Sequence, residues 1–161
     1  MSVFYFDTSA IVKRYVVETG TDWIMALTNP DRNNLSVIAE ITLAETAATI
    51  AAKHRAAQGI THQERDEAVQ LFLQHCHTDY HLIPTHRIII ERAILLTQNH
   101  RLRGYDAVQL ATALNTNEKL IIGGLSPLVF VTADNDLNNA AQSEGLSTDN
   151  PNLHSENENN A

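Results

Sequence analysis

The chain has 161 residues, 43% of them hydrophobic, with 19 Asp+Glu against 11 Lys+Arg and a formal charge of −8. That suits one soluble globular domain and argues against a protein that coats nucleic acid by bulk positive charge, since affinity for phosphates comes mainly from Lys and Arg. A lone cysteine, Cys76, excludes an intramolecular disulfide framework, and with no basic leader and no apolar run near the roughly 20 residues of a membrane span, a cytoplasmic protein with no membrane partner is expected.

In chain order, Val3–Phe6 is a short run of strand formers followed at once by Asp7-Thr8-Ser9. Residues 10–16 read as a helix ending before Gly20, Thr21–Leu27 as a second helix and 35–37 as a strand. A helical pattern runs over 39–57 to Gly59, and another over 61–75, where Thr61 and Glu64 fit a capping box. Tyr80–Ile83 reads as a strand, 86–98 as a helix and 105–115 as a strong helix after Gly104; 120–124 is ambiguous between strand and loop. A strand over 128–131 and a helix over 134–144, stopped by Gly145, complete the pattern. Strands alternating with helices predict an α/β fold with a mainly parallel sheet and helices on both faces. A folded domain is expected over 1–146. The polar stretch 147–161, holding three acids, buries too little to offset its ordering entropy and reads as a disordered tail.

The carboxylates carry the chemistry. Asp7 follows the first strand and Asp134 follows the last, and open α/β sheets collect ligands beyond the carboxyl ends of their strands. Each is also a good helix N-cap. On a helix, Ile38, Ile41, Glu45, Ala48 and Ala52 share a face, so Glu45 interrupts an apolar stripe while Glu40 points away. A buried carboxylate needs a partner or a cation; a Glu at the stripe's edge reaching solvent is the alternative. Asp106 lies in a first helical turn beside Gln109, Leu110 and Ala113, where its charge is favoured in any case. Four mutually repelling acids are most simply relieved by one or two divalent cations, and oxygen-only ligation points to Mg²⁺ or Mn²⁺. Asp136 either joins the set or is a solvated surface acid.

Four segments in register resemble the PIN domain and, within it, the VapC-type ribonuclease toxins. They are Phe6-Asp7-Thr8-Ser9-Ala10, the stretch from Ser36 to Glu45, Leu102-Arg103-Gly104-Tyr105-Asp106-Ala107-Val108-Gln109, and Phe130-Val131-Thr132-Ala133-Asp134 with Leu137, Ala140 and Leu146 beyond it. The resemblance implies a three-layer α/β/α sandwich, with Asp7, Glu45, Asp106 and Asp134 at the family's acidic metal-binding positions. It also implies Mg²⁺- or Mn²⁺-dependent endonucleolytic cleavage of RNA, a cognate antitoxin that blocks the site, and a homodimer. Asp7, Asp106 and Asp134 are then direct or water-mediated ligands, and Glu45 a ligand or the group that orients the attacking water. Thr8, Ser9 and Thr132 are candidate accessories, with a plain helix-start role as the alternative. Lys13, Arg14, Arg101 and Arg103 are candidate phosphate contacts, which a solvated helix face explains about as well.

His75, Cys76, His77 and His81 read as surface or packed side chains in preference to a zinc site. A non-catalytic PIN-like binding or regulatory module is the competing reading. A phosphoacceptor domain fits less well, because the first strand ends on one acid only.

Overall fold

The computed structural model describes residues 1–155. Its five strands are β1 (Val3–Phe6), β2 (Leu35–Ala39), β3 (Tyr80–Ile83), β4 (Val129–Val131) and β5 (Ser147–Asp149). They form one sheet in the order β3-β2-β1-β4-β5, every pair parallel. The helices are α1 (Thr8–Ile11), α2 (Thr21–Leu27), α3 (Ile41–Arg55), α4 (His62–Thr78), α5 (Arg87–Asn99), α6 (Gly104–Ile122) and α7 (Asn135–Ser143), with 3₁₀ turns at Val12–Arg14, Pro30–Arg32 and Pro151–Leu153.

The layers follow from strand alternation. Val3, Tyr5, Val37, Ala39 and Phe130 face one side, packed with Ile89, Ala93 and Leu96 of α5, Leu110 and Leu114 of α6 and Leu137 of α7. Phe6, Ile38 and Val131 face the other, against Ile11, Ile24 of α2, and Phe72 and Cys76 of α4. The central strands are covered on both faces, which is why β1 reads as continuous apolar sequence with no polar alternation. This is the expected α/β/α sandwich. Among the described residues, no helix is long and apolar enough to cross a membrane.

Several boundaries differ from expectation. Asp7 caps α1, so that helix starts at Thr8 and tightens into a 3₁₀ turn at Val12–Arg14. The ambiguous 120–124 segment begins as the last turn of α6, which runs on to Ile122. The face of α3 is also rotated relative to the predicted stripe: its buried residues are Thr42, Thr46 and Ile50, while Ala48 and Ala52 are exposed. Glu45 therefore sits at the rim of the packed face. The capping box of Thr61 and Glu64 on α4 is formed in both directions.

The disordered tail expected from residue 147 is corrected over its first part. Residues 147–149 are strand β5, and Pro151–Leu153 form a turn packed near α2. Hydrophobic burial was the wrong criterion here, because parallel pairing with β4 and the side-chain caps of Asp149 and Asn150 satisfy the backbone. The remainder of that expected tail, 156–161, lies outside the described residues.

Candidate active site

β1 lies at the sheet's centre; the chain builds outward through β2 and β3, then returns to build the other side through β4 and β5. The carboxyl ends of β1 and β4 flank the point where the connections diverge, the position at which such sheets form a crevice. Asp7 extends this pairing by one step, its N–H donating to the Val131 carbonyl at 3.2 Å.

Two hydroxyls strap the strand ends together. Thr132 Oγ1 donates to Asp7 Oδ2 at 2.9 Å and accepts the Asp134 N–H at 3.1 Å. Ser9 Oγ donates to both Asp7 oxygens at 2.8 and 2.9 Å and accepts the Ala133 N–H at 2.8 Å. Asp7 and Asp134 are both N-caps as well, accepting from the Ala10 and Leu137 amides. The capping role and the shared location therefore coexist: Asp7 serves the helix through Oδ1 and the Thr132 and Ser9 hydroxyls through Oδ2, while Asp134 serves its helix through Oδ1.

Across the pocket, Glu45 Oε2 accepts from Thr8 Oγ1 at 2.9 Å and from Gln109 Nε2 at 2.8 Å. Gln109 is buried and fully committed: its amide nitrogen also donates to Thr42 Oγ1 at 2.9 Å, and its oxygen accepts from the Tyr5 hydroxyl at 2.7 Å. Asp106 stands one turn before Gln109 on α6. Asp7, Thr8, Ser9, Glu45, Thr49, Asp106, Gln109 and Asp134 together line an open pocket of about 190 Å³.

Burial pushes the Asp7 carboxyl from its ordinary 3.8 up to about 7, against the hydrogen bonds of Ser9, Thr132 and Ala10, and the Asp106 charge adds to the rise. Asp106 is also raised, by burial first and then by Asp134, while Arg103 eases its ionisation. Among the described residues, none of the four acids makes a salt bridge. Uncompensated acids with hydroxyl and amide oxygens and no soft donor fit Mg²⁺ or Mn²⁺ chemically. Among the described residues, no three His, Cys, Asp or Glu side chains are drawn together as a ready ligand cage.

The other predicted residues divide. Asp136 is exposed in the first turn of α7 and does not line the pocket. Lys13 is buried and bonded to Glu18 at 3.0 Å, and Lys53 pairs with the same carboxylate. Arg14 is held by Asp79 at 2.9 Å and the Tyr80 hydroxyl at 2.8 Å. The expectation that Lys13 and Arg14 grip phosphates is therefore corrected, since internal partners already use both cations. Arg101 and Arg103 are exposed and, among the described residues, make no salt bridge. His75 shares a hydrogen bond with the Tyr15 hydroxyl, and buried Cys76 packs with Phe72. The sequence reading missed the roles of Gln109, Thr42 and Tyr5. Their one signal is a glutamine inside the apolar run 107–114.

The sequence matches the PIN domain family over residues 4–142. No curated protein matches it closely enough to be compared. Among solved structures, FitAcB from Neisseria gonorrhoeae is similar at 16% identity and a TM-score of 0.62, with 92% of this chain and 97% of that one covered. VapBC2 from Rickettsia felis, bound to a DNA fragment from its promoter, is similar at 14% and 0.60, covering 92% and 98%. VapC20 of Mycobacterium tuberculosis, described as a Sarcin-Ricin loop cleaving toxin, is similar at 16% and 0.58, covering 90% and 96%. At these identities the likeness is one of fold.

Proposed function

Since the chain belongs to the PIN-domain family, we propose that it is a divalent-cation-dependent endoribonuclease and the toxin of a toxin–antitoxin pair. The observation that carries this reading is the convergence of Asp7, Glu45, Asp106 and Asp134, from four separate elements, on one pocket at the carboxyl ends of β1 and β4. Asp7, Asp106 and Asp134 would hold Mg²⁺ or Mn²⁺ directly or through water, with Glu45 joining them or orienting the attacking water. The bound cation supplies activation of that water and neutralisation of charge on the phosphate and leaving oxygen. The chain's own groups do the positioning: Ser9 and Thr132 fix Asp7, Gln109 and Thr8 fix Glu45, and Arg101 and Arg103 receive RNA phosphates.

The partners follow from the same surface. An antitoxin segment bearing Arg or Lys is complementary to a pocket of four unpaired acids. Beside that pocket an apolar groove lined by Ile41, Ile90, Ile94, Tyr105 and Val108 offers area for a protein partner, whether antitoxin or a second copy of the chain. Toxin–antitoxin complexes among the structural neighbours support the antitoxin.

The experiment is expression in a bacterial host. The chain should arrest growth, Asp7→Asn and Asp106→Asn should be harmless, and the product of a neighbouring antitoxin reading frame should restore growth. Arrest that persists in both variants, or no arrest at all, overturns the toxin assignment and leaves the non-catalytic binding module as the better reading.

A further inference from the structure

The segment that follows α7 is joined to the acidic pocket by a continuous series of contacts. Trp23 of α2 and the ring of His154 stack face to face, with centroids 4.0 Å apart and planes 2° from parallel. His154 Nε2 donates to Asp149 Oδ1 at 2.8 Å, because a carboxylate can only accept. The same oxygen accepts the Asn150 N–H at 2.8 Å. Asp149 then reaches the pocket through its backbone: its carbonyl accepts the Thr132 N–H at 3.1 Å. Thr132 is the residue whose hydroxyl bonds Asp7 and the Asp134 amide.

The seat for this segment is built into the backbone. Gly20, at φ +86°, allows Pro151 to approach so closely that a Cβ on residue 20 would lie 2.2 Å from the Pro151 carbonyl oxygen. The family match covers residues 4–142, and the segment follows after it.

We propose that residues 147–154 are a positioning element for the acidic pocket, in which Trp23 and His154 clasp the segment onto α2 and, through Asp149, hold Thr132 in place against Asp7. His154 and Trp23 are positioning residues that lie away from the pocket's lining. β4 is three residues long, is paired on its outer edge by β5 at all three positions, and leads directly into the loop carrying Thr132 and Asp134. The inference takes the acidic pocket as the working site and so rests on the nuclease reading.

The test compares the full chain with its His154→Ala and His154→Gln variants; Gln keeps a planar side chain and an N–H donor for Asp149. Three readouts are used: emission of Trp23, the chain's single tryptophan; hydrogen exchange of the Thr132 amide; and Mn²⁺ binding by calorimetry. In His154→Ala, Trp23 emission should change, Thr132 exchange should quicken about tenfold, and Mn²⁺ should bind about tenfold more weakly, the scale of losing a supporting hydrogen bond behind a metal ligand. His154→Gln should recover the last two. Gly20→Ala, which obstructs the seat from the opposite side, should reproduce the His154→Ala pattern. Unchanged Thr132 exchange in His154→Ala overturns the proposal, as does quickened exchange with unchanged Mn²⁺ affinity, or loss in His154→Gln as large as in His154→Ala. Failure of the unaltered chain to bind Mn²⁺ counts against the nuclease reading instead, and Thr132 exchange then decides the clasp alone.

Discussion

Gln109 Nε2 donates to Glu45 Oε2 across 2.8 Å, joining α6 to α3 at the edge of the acidic pocket. The same amide satisfies the buried hydroxyls of Tyr5 and Thr42, so one side chain serves β1, α3 and the proposed site together. Replacing it with leucine preserves bulk and strands those partners. Gln109→Leu should destabilise the fold by about 2 kcal/mol, the usual cost of unsatisfied buried polar groups. A melting temperature within one degree of the unaltered chain would contradict this.

Asp7→Asn separates the site from the fold. Asn caps a helix about as well as Asp, so α1 keeps its N-cap, and at pH 5, where the Asp7 carboxyl is itself protonated, the melting temperature should hold. RNA cleavage should nevertheless fall about 10²- to 10³-fold, the size of loss for removing one group that acts on developing charge. Asp7→Ala should in addition lose about 1 kcal/mol of stability with the cap. Thermal melts and single-turnover cleavage of the two variants check both halves.

The raised Asp7 carboxyl fixes the sign of a pH effect. Its value is about 7 in the folded chain against an ordinary 3.8, so the folded state holds a proton that the unfolded state releases. The associated stability is fully present below pH 3.8 and is lost as pH rises through 7. Between pH 5 and pH 8 the unaltered chain should therefore lose more stability than Asp7→Asn. Added Mg²⁺ should recover that loss at pH 8 and do little at pH 5, where the ion must displace the proton. Melting curves at the two pH values, with and without Mg²⁺, measure it; parallel pH profiles for the two proteins would contradict it.

The four candidate cations should separate cleanly. Arg101→Ala and Arg103→Ala should weaken RNA binding across sequences and each reduce the salt slope by about 1, with melting temperature unchanged. Arg14→Ala should instead destabilise the fold, because it leaves Asp79 and Tyr80 without their shared partner. Filter binding at several salt concentrations distinguishes the two classes.

How much of this could be read from the residues depends on what kind of force holds each element. β1 with Asp7 and β4 with Asp134 were legible because a strand buried on both faces leaves an apolar run, and the acid that ends it stands out. Glu45 was found by a face of α3 that packs differently: threonines at 42 and 46 occupy the buried side, and the hydropathy pattern cannot register them. β5 was invisible because Ser147-Thr148-Asp149 owes its place to backbone pairing and to His154 and Asn150, all contacts between polar groups. Lys13 and Arg14 carry the right charge for RNA, but their internal acidic partners, Glu18 and Asp79, are revealed only by the fold.

The most direct measurement is cleavage of a labelled RNA panel by the purified chain in Mg²⁺ or Mn²⁺, beside Asp7→Asn and Asp106→Asn proteins shown to be folded. Site-specific cleavage that EDTA abolishes, and that both variants lack, is the predicted result. Intact RNA with the unaltered chain under all metal conditions, or equal cleavage by the unaltered chain and both variants, would contradict the assignment of the acidic pocket as a nuclease site.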